Sequence, residues 1–189
     1  ASILGNWAAE MEKFAPDLKT IIAHQSAIPS TELKALGKER VVDADLVITS
    51  YGSLIRLPWL EETSWQMVIL DEAQVIKNPG AKQSKAAKKL KGRVRIVLTG
   101  TPVENKLGDL WSIFDFLNPG LLGSAREFTE YTKRAAGRPQ NPYGPLRELV
   151  RPYILRRMKT DKSVIADLPD KTEVKAYCQM SRKQVALYQ

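Results

Sequence analysis

What this 189-residue chain has little of already excludes several kinds of chemistry. Cys178 is its one cysteine, so neither an intrachain disulfide nor a thiolate-rich metal site can be built, a usage that suits a reducing compartment. His24 is its one histidine, which removes zinc-protease motifs and leaves little for a Ser-His or Cys-His nucleophile; a strand-end or loop histidine is the expectation. No stretch approaches the roughly 18 consecutive apolar residues that cross a bilayer. Glu10, Glu12 and Lys13 break the N-terminal apolar pattern in a way a secretion signal does not, and no membrane association is expected. A phosphate-cradling loop with Gly-Lys-Thr or Gly-Lys-Ser is also missing. Gly37-Lys38-Glu39 lacks both the hydroxyl residue and the earlier glycine that such a loop needs.

What is present suits a packed domain, because 43% of the residues are apolar. The net charge of +8 is unevenly spread: residues 1–80 carry 7 Lys/Arg against 11 Asp/Glu, and residues 81–189 carry 22 against 10. A basic half of this size favours a polyanionic partner such as nucleic acid, held through counterion release, although many basic faces serve only solubility.

Apolar spacing gives the order of elements. Leu4, Trp7, Met11 and Phe14 recur at helical spacing until Pro16 stops the pattern. Strands are expected over Leu18 to Ala23, Leu46 to Thr49, Trp65 to Leu70 and Val94 to Leu98, with helices over Ser50 to Leu57 and Ala81 to Leu90 between them. This alternation predicts an α/β fold with a parallel sheet flanked by helices. Leu107, Leu110, Trp111, Phe114 and Leu117 mark an amphipathic helix that Asn118-Pro119-Gly120 ends. Ser124 with Glu127 reads as a capping box for a helix through Ala136, and a turn-rich stretch precedes a helix from Leu146 to Arg151. Lys171 to Gln179 reads as a last strand, and Ser181 with Gln184 opens a last helix.

Two strand ends carry polar chemistry. The run Trp65 to Leu70 lacks period-two alternation, so it predicts a strand covered on both faces, and it ends in Asp71-Glu72-Ala73-Gln74. In open α/β sheets the crevice beyond the carboxyl ends of the strands is where ligands bind. There one carboxylate can hold hydrated magnesium beside phosphate oxygens, and its neighbour can orient or deprotonate a water. The plainer alternative is that Asp71 caps a helix beginning at Ala73. The strand through Leu98 ends in Thr99-Gly100-Thr101-Pro102, with two hydroxyls around a glycine and a proline suited to the first turn of the next helix. An ordinary turn is again the plainer alternative.

Taken together, Asp-Glu-Ala-Gln followed by Val-Ile-Lys-Asn-Pro, then Leu-Thr-Gly-Thr-Pro-Val-Glu-Asn some twenty residues later, resembles motifs II and III of the Swi/Snf-type DNA translocases of helicase superfamily two. Residues 2–7 through 13–16 resemble the family's motif Ia and residues 47–51 its motif Ib. Three later segments, 109–120, 151–157 and 167–171, are also similar, so the resemblance covers nearly the whole chain.

The resemblance implies a partial RecA-like (P-loop NTPase) first lobe over residues 1–118, a basic helical family-specific extension over 119–170, and a strand and helix over 171–189 leading toward a second lobe. It implies ATP and Mg2+ as cofactors, with Asp71 holding magnesium through water and Glu72 activating the water that attacks the γ-phosphate. Gln74, Thr99 and Thr101 would couple nucleotide state to the grip on DNA. Asn6, Trp7, Thr49, Ser50, Tyr51 and Lys77 would lie along one strand of double-stranded DNA; for Trp7, its spacing with Met11 and Phe14 also suits a core position. Arg156 and Arg157 match the end of the first lobe and are expected to serve local pairing or lobe positioning. The expectation is a fragment of a DNA-dependent ATPase that moves DNA relative to bound protein and is inactive without the phosphate loop and second lobe. Exposed sheet edges would favour self-association. The location implied is the nucleoid of a prokaryotic cytoplasm or a eukaryotic nucleus. The competing reading is a non-catalytic nucleic-acid- or protein-binding module, against which the intact Asp71, Glu72 and Gln74 argue. An RNA helicase is disfavoured by Gln74 and by Thr-Gly-Thr.

Overall fold

The computed structural model describes residues 2–36, 41, 43–101, 106–137, 140–157, 172 and 174–188. The chain divides into two compact units, Ala1–Pro142 and Tyr143–Gln189.

The first unit alternates helices and strands, as the spacing predicts. Helix α1 (Ser2–Phe14) leads into β1 (Thr20–Ala23), α2 (Ser30–Ala35), β2 (Leu46–Thr49), α3 (Tyr51–Arg56), α4 (Trp59–Glu62) and β3 (Ser64–Leu70). A 3₁₀ turn (Ala73–Ile76), α5 (Lys82–Lys89), β4 (Lys91–Val97), α6 (Leu107–Leu117) and α7 (Ala125–Ala136) follow. The spacing did not anticipate the short helices α2 and α4. Their signals are prolines 29 and 58 immediately before the first turn and acidic residues within it, Glu32 in one and Glu61 and Glu62 in the other.

Both strand pairs are parallel, and they form two separate two-stranded ladders. In one, Thr20 to Ala23 match Leu46 to Thr49; in the other, Met67 pairs with Val94 and Ile69 with Ile96. One face of the β3–β4 ladder is closed. Val68 and Leu70 are buried in a core with Ala73, Ile76, Ala87, Leu90 and Phe116, which continues through Leu57, Trp59 and Leu60 to Leu33, Leu36 and Ala23. The opposite face corrects the expectation of a strand covered on both sides. Met67 (49%) and Ile69 (45%) are exposed, as are Val94 (43%), Ile96 (37%) and Leu98 (40%) in register beside them. The unbroken apolar run therefore encodes two apolar faces, of which the described residues cover one.

Several local expectations hold to within a residue or two. Ser50 caps α3 by accepting from the Ser53 amide at 3.2 Å. Ser124 and Glu127 form the capping box of α7: the Glu127 amide donates to Ser124 Oγ at 3.3 Å and the Ser124 amide to Glu127 Oε2 at 2.7 Å. Those bonds to Ser124, side chain first and then backbone, hold the Glu127 carboxyl below its ordinary value. His24 sits in a loop, its Nδ1 2.9 Å from Ser26 Oγ.

Others do not hold. Phe14, the last apolar position of the α1 pattern, is 71% exposed, because the helix ends there while its buried contact is made a few turns earlier, at Leu4. Pro102, expected in the first turn of the next helix, lies outside the described residues.

The second unit contains α8 (Gly144–Val150), a 3₁₀ turn (Arg151–Tyr153) and α9 (Arg182–Tyr188). Part of the strand read over Lys171 to Gln179 lies outside the described residues. Residues 174–180 are exposed, irregular backbone, and this segment has no partner strand among the described residues. The hydroxyl of Ser181 donates to Gln184 Oε1 at 3.0 Å at the start of α9, as read.

Candidate functional site

The carboxyl ends of β3 and β4 are tied together beyond the ladder. The Leu98 amide donates to the Leu70 carbonyl at 2.8 Å, and the Ala73 amide donates to the Leu98 carbonyl at 3.0 Å. These two bonds fix the Asp71-Glu72 corner beside Thr99. A longer anchor holds the 3₁₀ turn that follows, where the buried Ser112 hydroxyl of α6 donates to the Ile76 carbonyl at 2.6 Å. The backbone then reverses in a tight turn at Asn78-Pro79, with Asn78 Oδ1 accepting from the Gly80 amide at 3.0 Å.

Asp71 does not cap a helix. One carboxylate oxygen, Oδ1, accepts from the Glu72 amide at 2.8 Å, and the element beginning at Ala73 is a single 3₁₀ turn whose preceding residue is Glu72. Glu72 itself lies in the left-handed region, with φ 50 and ψ 48, a conformation that costs a non-glycine residue about 1–3 kcal/mol and collects at functional corners. Its carboxylate accepts from Gln74 Nε2, and Gln74 Oε1 accepts from the Thr99 hydroxyl at 2.8 Å. Thr99 Oγ1 also accepts from the Thr101 amide at 3.2 Å. A continuous chain of hydrogen bonds thus runs from Glu72 through Gln74 and Thr99 to the Thr101 backbone, joining both strand ends named by the sequence.

Two of the remaining predicted residues reach the same corner from elements outside β3 and β4. Trp7 on α1 donates its indole Nε1–H to Asp71 Oδ2 at 2.8 Å, and Tyr51 at the start of α3 donates its hydroxyl to the Asp71 carbonyl at 2.9 Å. Neither bond was legible in the sequence, since the partners lie 64 and 20 positions apart. Burial, then the nearby Asp71 and Glu72 carboxylates, raises the Tyr51 hydroxyl well above its ordinary value. Thr49 donates its hydroxyl to the Ala23 carbonyl at 2.8 Å, linking β2 to β1, and Ser50 is occupied as a cap. Asn6 is exposed on α1 and Lys77 is half-buried just beyond the 3₁₀ turn. Arg156 and Arg157 lie in irregular, exposed backbone of the second unit.

The donor set fits a hydrated magnesium ion. No cluster of three or more His, Cys, Asp or Glu side chains is present among the described residues, so an all-protein cage is absent there. Magnesium bound through one carboxylate, with waters and phosphate oxygens completing the octahedron, requires no such cage. After its bonds to the Glu72 amide and the Trp7 indole, each Asp71 oxygen retains a further acceptor direction for a metal-bound water.

Comparison with known proteins places the chain in a family. A family model described as the SNF2-related domain matches residues 1–189. The chain is 43% identical over 194 residues to YwqA of Bacillus subtilis (strain 168), named as a candidate ATP-dependent helicase/translocase, and 34% identical over 203 residues to the chromatin-remodeling ATPase INO80 of Arabidopsis thaliana. All of the chain is covered in both cases, but it spans only 20% and 13% of those two proteins. The fold matches the Sulfolobus solfataricus SWI2/SNF2 ATPase core, solved in complex with dsDNA, with a TM-score of 0.76 and 44% identity over 99% of this chain and 38% of that one. With the family model spanning every residue, this chain belongs to the SNF2-related domain family.

Proposed function

We propose that this chain supplies the hydrolytic corner and part of the DNA-facing surface of an ATP-dependent translocase that moves along duplex DNA. The observation that carries this reading is the hydrogen-bonded chain Glu72–Gln74–Thr99, set beside Asp71 at the joined ends of β3 and β4. The likeness to a core solved with dsDNA supports duplex DNA as the partner.

In this reading Asp71 would hold a magnesium ion through its waters, and the ion would supply charge neutralisation at the phosphates of ATP. Glu72 orients a water toward the γ-phosphate and takes its proton at the carboxylate. Gln74 and Thr99 link that carboxylate to the second strand end, so a change at the phosphate reaches Thr99 and Thr101. Asn6, Trp7, Thr49, Ser50, Tyr51 and Lys77 lie on the segments that would face DNA, where contacts to phosphates position the duplex without reading its sequence. Displacement of proteins bound to that DNA, in the nucleoid or the nucleus, is the proposed outcome of the movement.

The test is ATP turnover by the full-length protein as a function of duplex length, with single-stranded DNA and RNA as comparisons. Stimulation by duplex DNA is expected. Glu72→Gln, which leaves a neutral side chain of the same shape, is expected to lower turnover by about 10²–10⁴-fold. Equal stimulation by RNA, or full turnover in the Gln variant, overturns the reading. The 189-residue chain alone, having no Gly-Lys-Thr or Gly-Lys-Ser loop to cradle phosphates, is expected to show no turnover.

A further inference from the structure

Trp7 presents two properties that a core residue does not need. Its ring is only half-buried on α1, and its single polar atom is spent on the Asp71 carboxylate rather than on a backbone carbonyl. The other tryptophans with described partners do the latter: Trp59 donates to the Leu33 carbonyl, Trp65 to the Leu60 carbonyl and Trp111 to the Gly123 carbonyl. Asp71 is in turn held twice by residues outside β3 and β4, through its side chain by Trp7 on α1 and through its backbone by Tyr51 on α3. Among the described residues the two ladders share no strand pairing, so these bonds link the Asp71 corner directly to α1 and to the start of α3.

We propose that Trp7 and Tyr51 are positioning residues for the metal site, fixing the Asp71 carboxylate in the orientation that receives hydrated magnesium and transmitting to it any movement of the segments that meet DNA. The inference rests on the functional reading above for the identity of the metal and of the duplex. Its geometry is specific. The Glu72 amide binds Oδ1 and the Trp7 indole binds Oδ2, so the carboxylate is gripped at both oxygens and cannot rotate without breaking one bond. Loss of the indole N–H leaves Oδ2 without that donor, and the carboxylate must then be ordered when the metal arrives. Exposed Asn6 is the immediate neighbour of Trp7 on α1, and Thr49-Ser50 immediately precede Tyr51. A displacement of either segment by DNA therefore changes the donor geometry at Asp71 without passing through the phosphates.

The experiment uses the full-length protein and its Trp7→Phe and Tyr51→Phe variants, each of which keeps a ring and loses one donor. Mn2+, as a paramagnetic stand-in for magnesium, is titrated in the presence of a non-hydrolysable ATP analogue with free ion read by electron paramagnetic resonance, so metal affinity is measured without turnover. Trp7→Phe is expected to weaken Mn2+ binding on the order of 10-fold, the lower end for removal of a hydrogen bond that orients a metal-binding side chain. The Mg2+ concentration for half-maximal turnover should rise in parallel. A merely structural role for the ring predicts unchanged Mn2+ affinity in the folded variant, and that result overturns the inference. Should Trp7→Phe fail to fold, Tyr51→Phe decides: weakened Mn2+ binding supports the shared positioning role, and unchanged binding overturns it. A wild-type protein that binds Mn2+ but whose turnover ignores duplex DNA would instead count against the functional reading, leaving the positioning of Asp71 to be judged on metal affinity alone.

Discussion

At the scale of single residues, the site is a set of side chains whose pairing restricts what each can do. Thr99 accepts from one amide and donates to Gln74, so Thr99→Val removes the link between the strand ends while conserving shape. In the full-length protein we expect this variant to retain DNA binding and to lose most of the DNA stimulation of turnover, measured as the ratio of rates with and without duplex. Tyr51 gives a pH dependence whose sign is fixed by its raised value. The neutral phenol is favoured in the folded state by burial and by the neighbouring Asp71 and Glu72 carboxylates. Its contribution to stability is therefore fully present below the unfolded value of 10.0 and is lost as pH rises through the higher folded value. Wild-type stability should fall more steeply above pH 10.0 than that of Tyr51→Phe, which has no proton to lose, as denaturant unfolding across that range would show.

At the scale of elements, β4 depends on a glycine. A Cβ at Gly92 would lie 2.8 Å from Val68 Cγ2, and Val68 is a β-branched residue packed in the core with little freedom to turn away. Gly92→Ala should therefore cost about 1–3 kcal/mol of stability, seen as a lower denaturation midpoint. The capping box of α7 gives the opposite pH sign to Tyr51. Since the Glu127 carboxyl is held low by Ser124, its contribution is present above the unfolded value and is lost as pH falls through the folded one. Ser124→Ala should remove both the cap and that acid dependence, which the helical signal followed through an acid titration would report. Short-range pairings of this kind are what a sequence displays well. Ser124 and Glu127 are three residues apart, and the α6 pattern of Leu110, Phe114 and Leu117 needs only the period of a helix. The strand read at Lys171 to Gln179 shows the complementary limit, because residues 174–179 are irregular and a strand exists only where another offers its amides and carbonyls.

At the scale of the whole molecule, the exposed ladder face and the basic half set the behaviour in solution. Met67, Ile69, Val94, Ile96 and Leu98 form a contiguous apolar surface on β3 and β4. We expect the isolated 189-residue chain to self-associate through it, with sedimentation showing concentration-dependent oligomers that Met67→Lys with Ile96→Lys disperses. For the full-length protein, duplex affinity should fall with salt, with a slope of about −0.9 per phosphate neutralised, and should vary little with base sequence.

The sequence by itself determined the four strands and the longer helices between and after them, the parallel α/β character and the identity of the two polar strand ends. Each of these follows from local spacing, and a run such as Met67 to Leu70 followed by Asp71-Glu72 can be read without knowing its neighbours. Only the tertiary structure decided that one face of that strand is open, that Glu72 turns through the left-handed region, and that Trp7 and Tyr51 converge on Asp71. Those outcomes depend on which segments pack together, because an indole N–H on α1 meets a carboxylate 64 residues away only after two ladders have been brought side by side. Hydrophobic spacing encodes that a face will be buried, and leaves open what buries it.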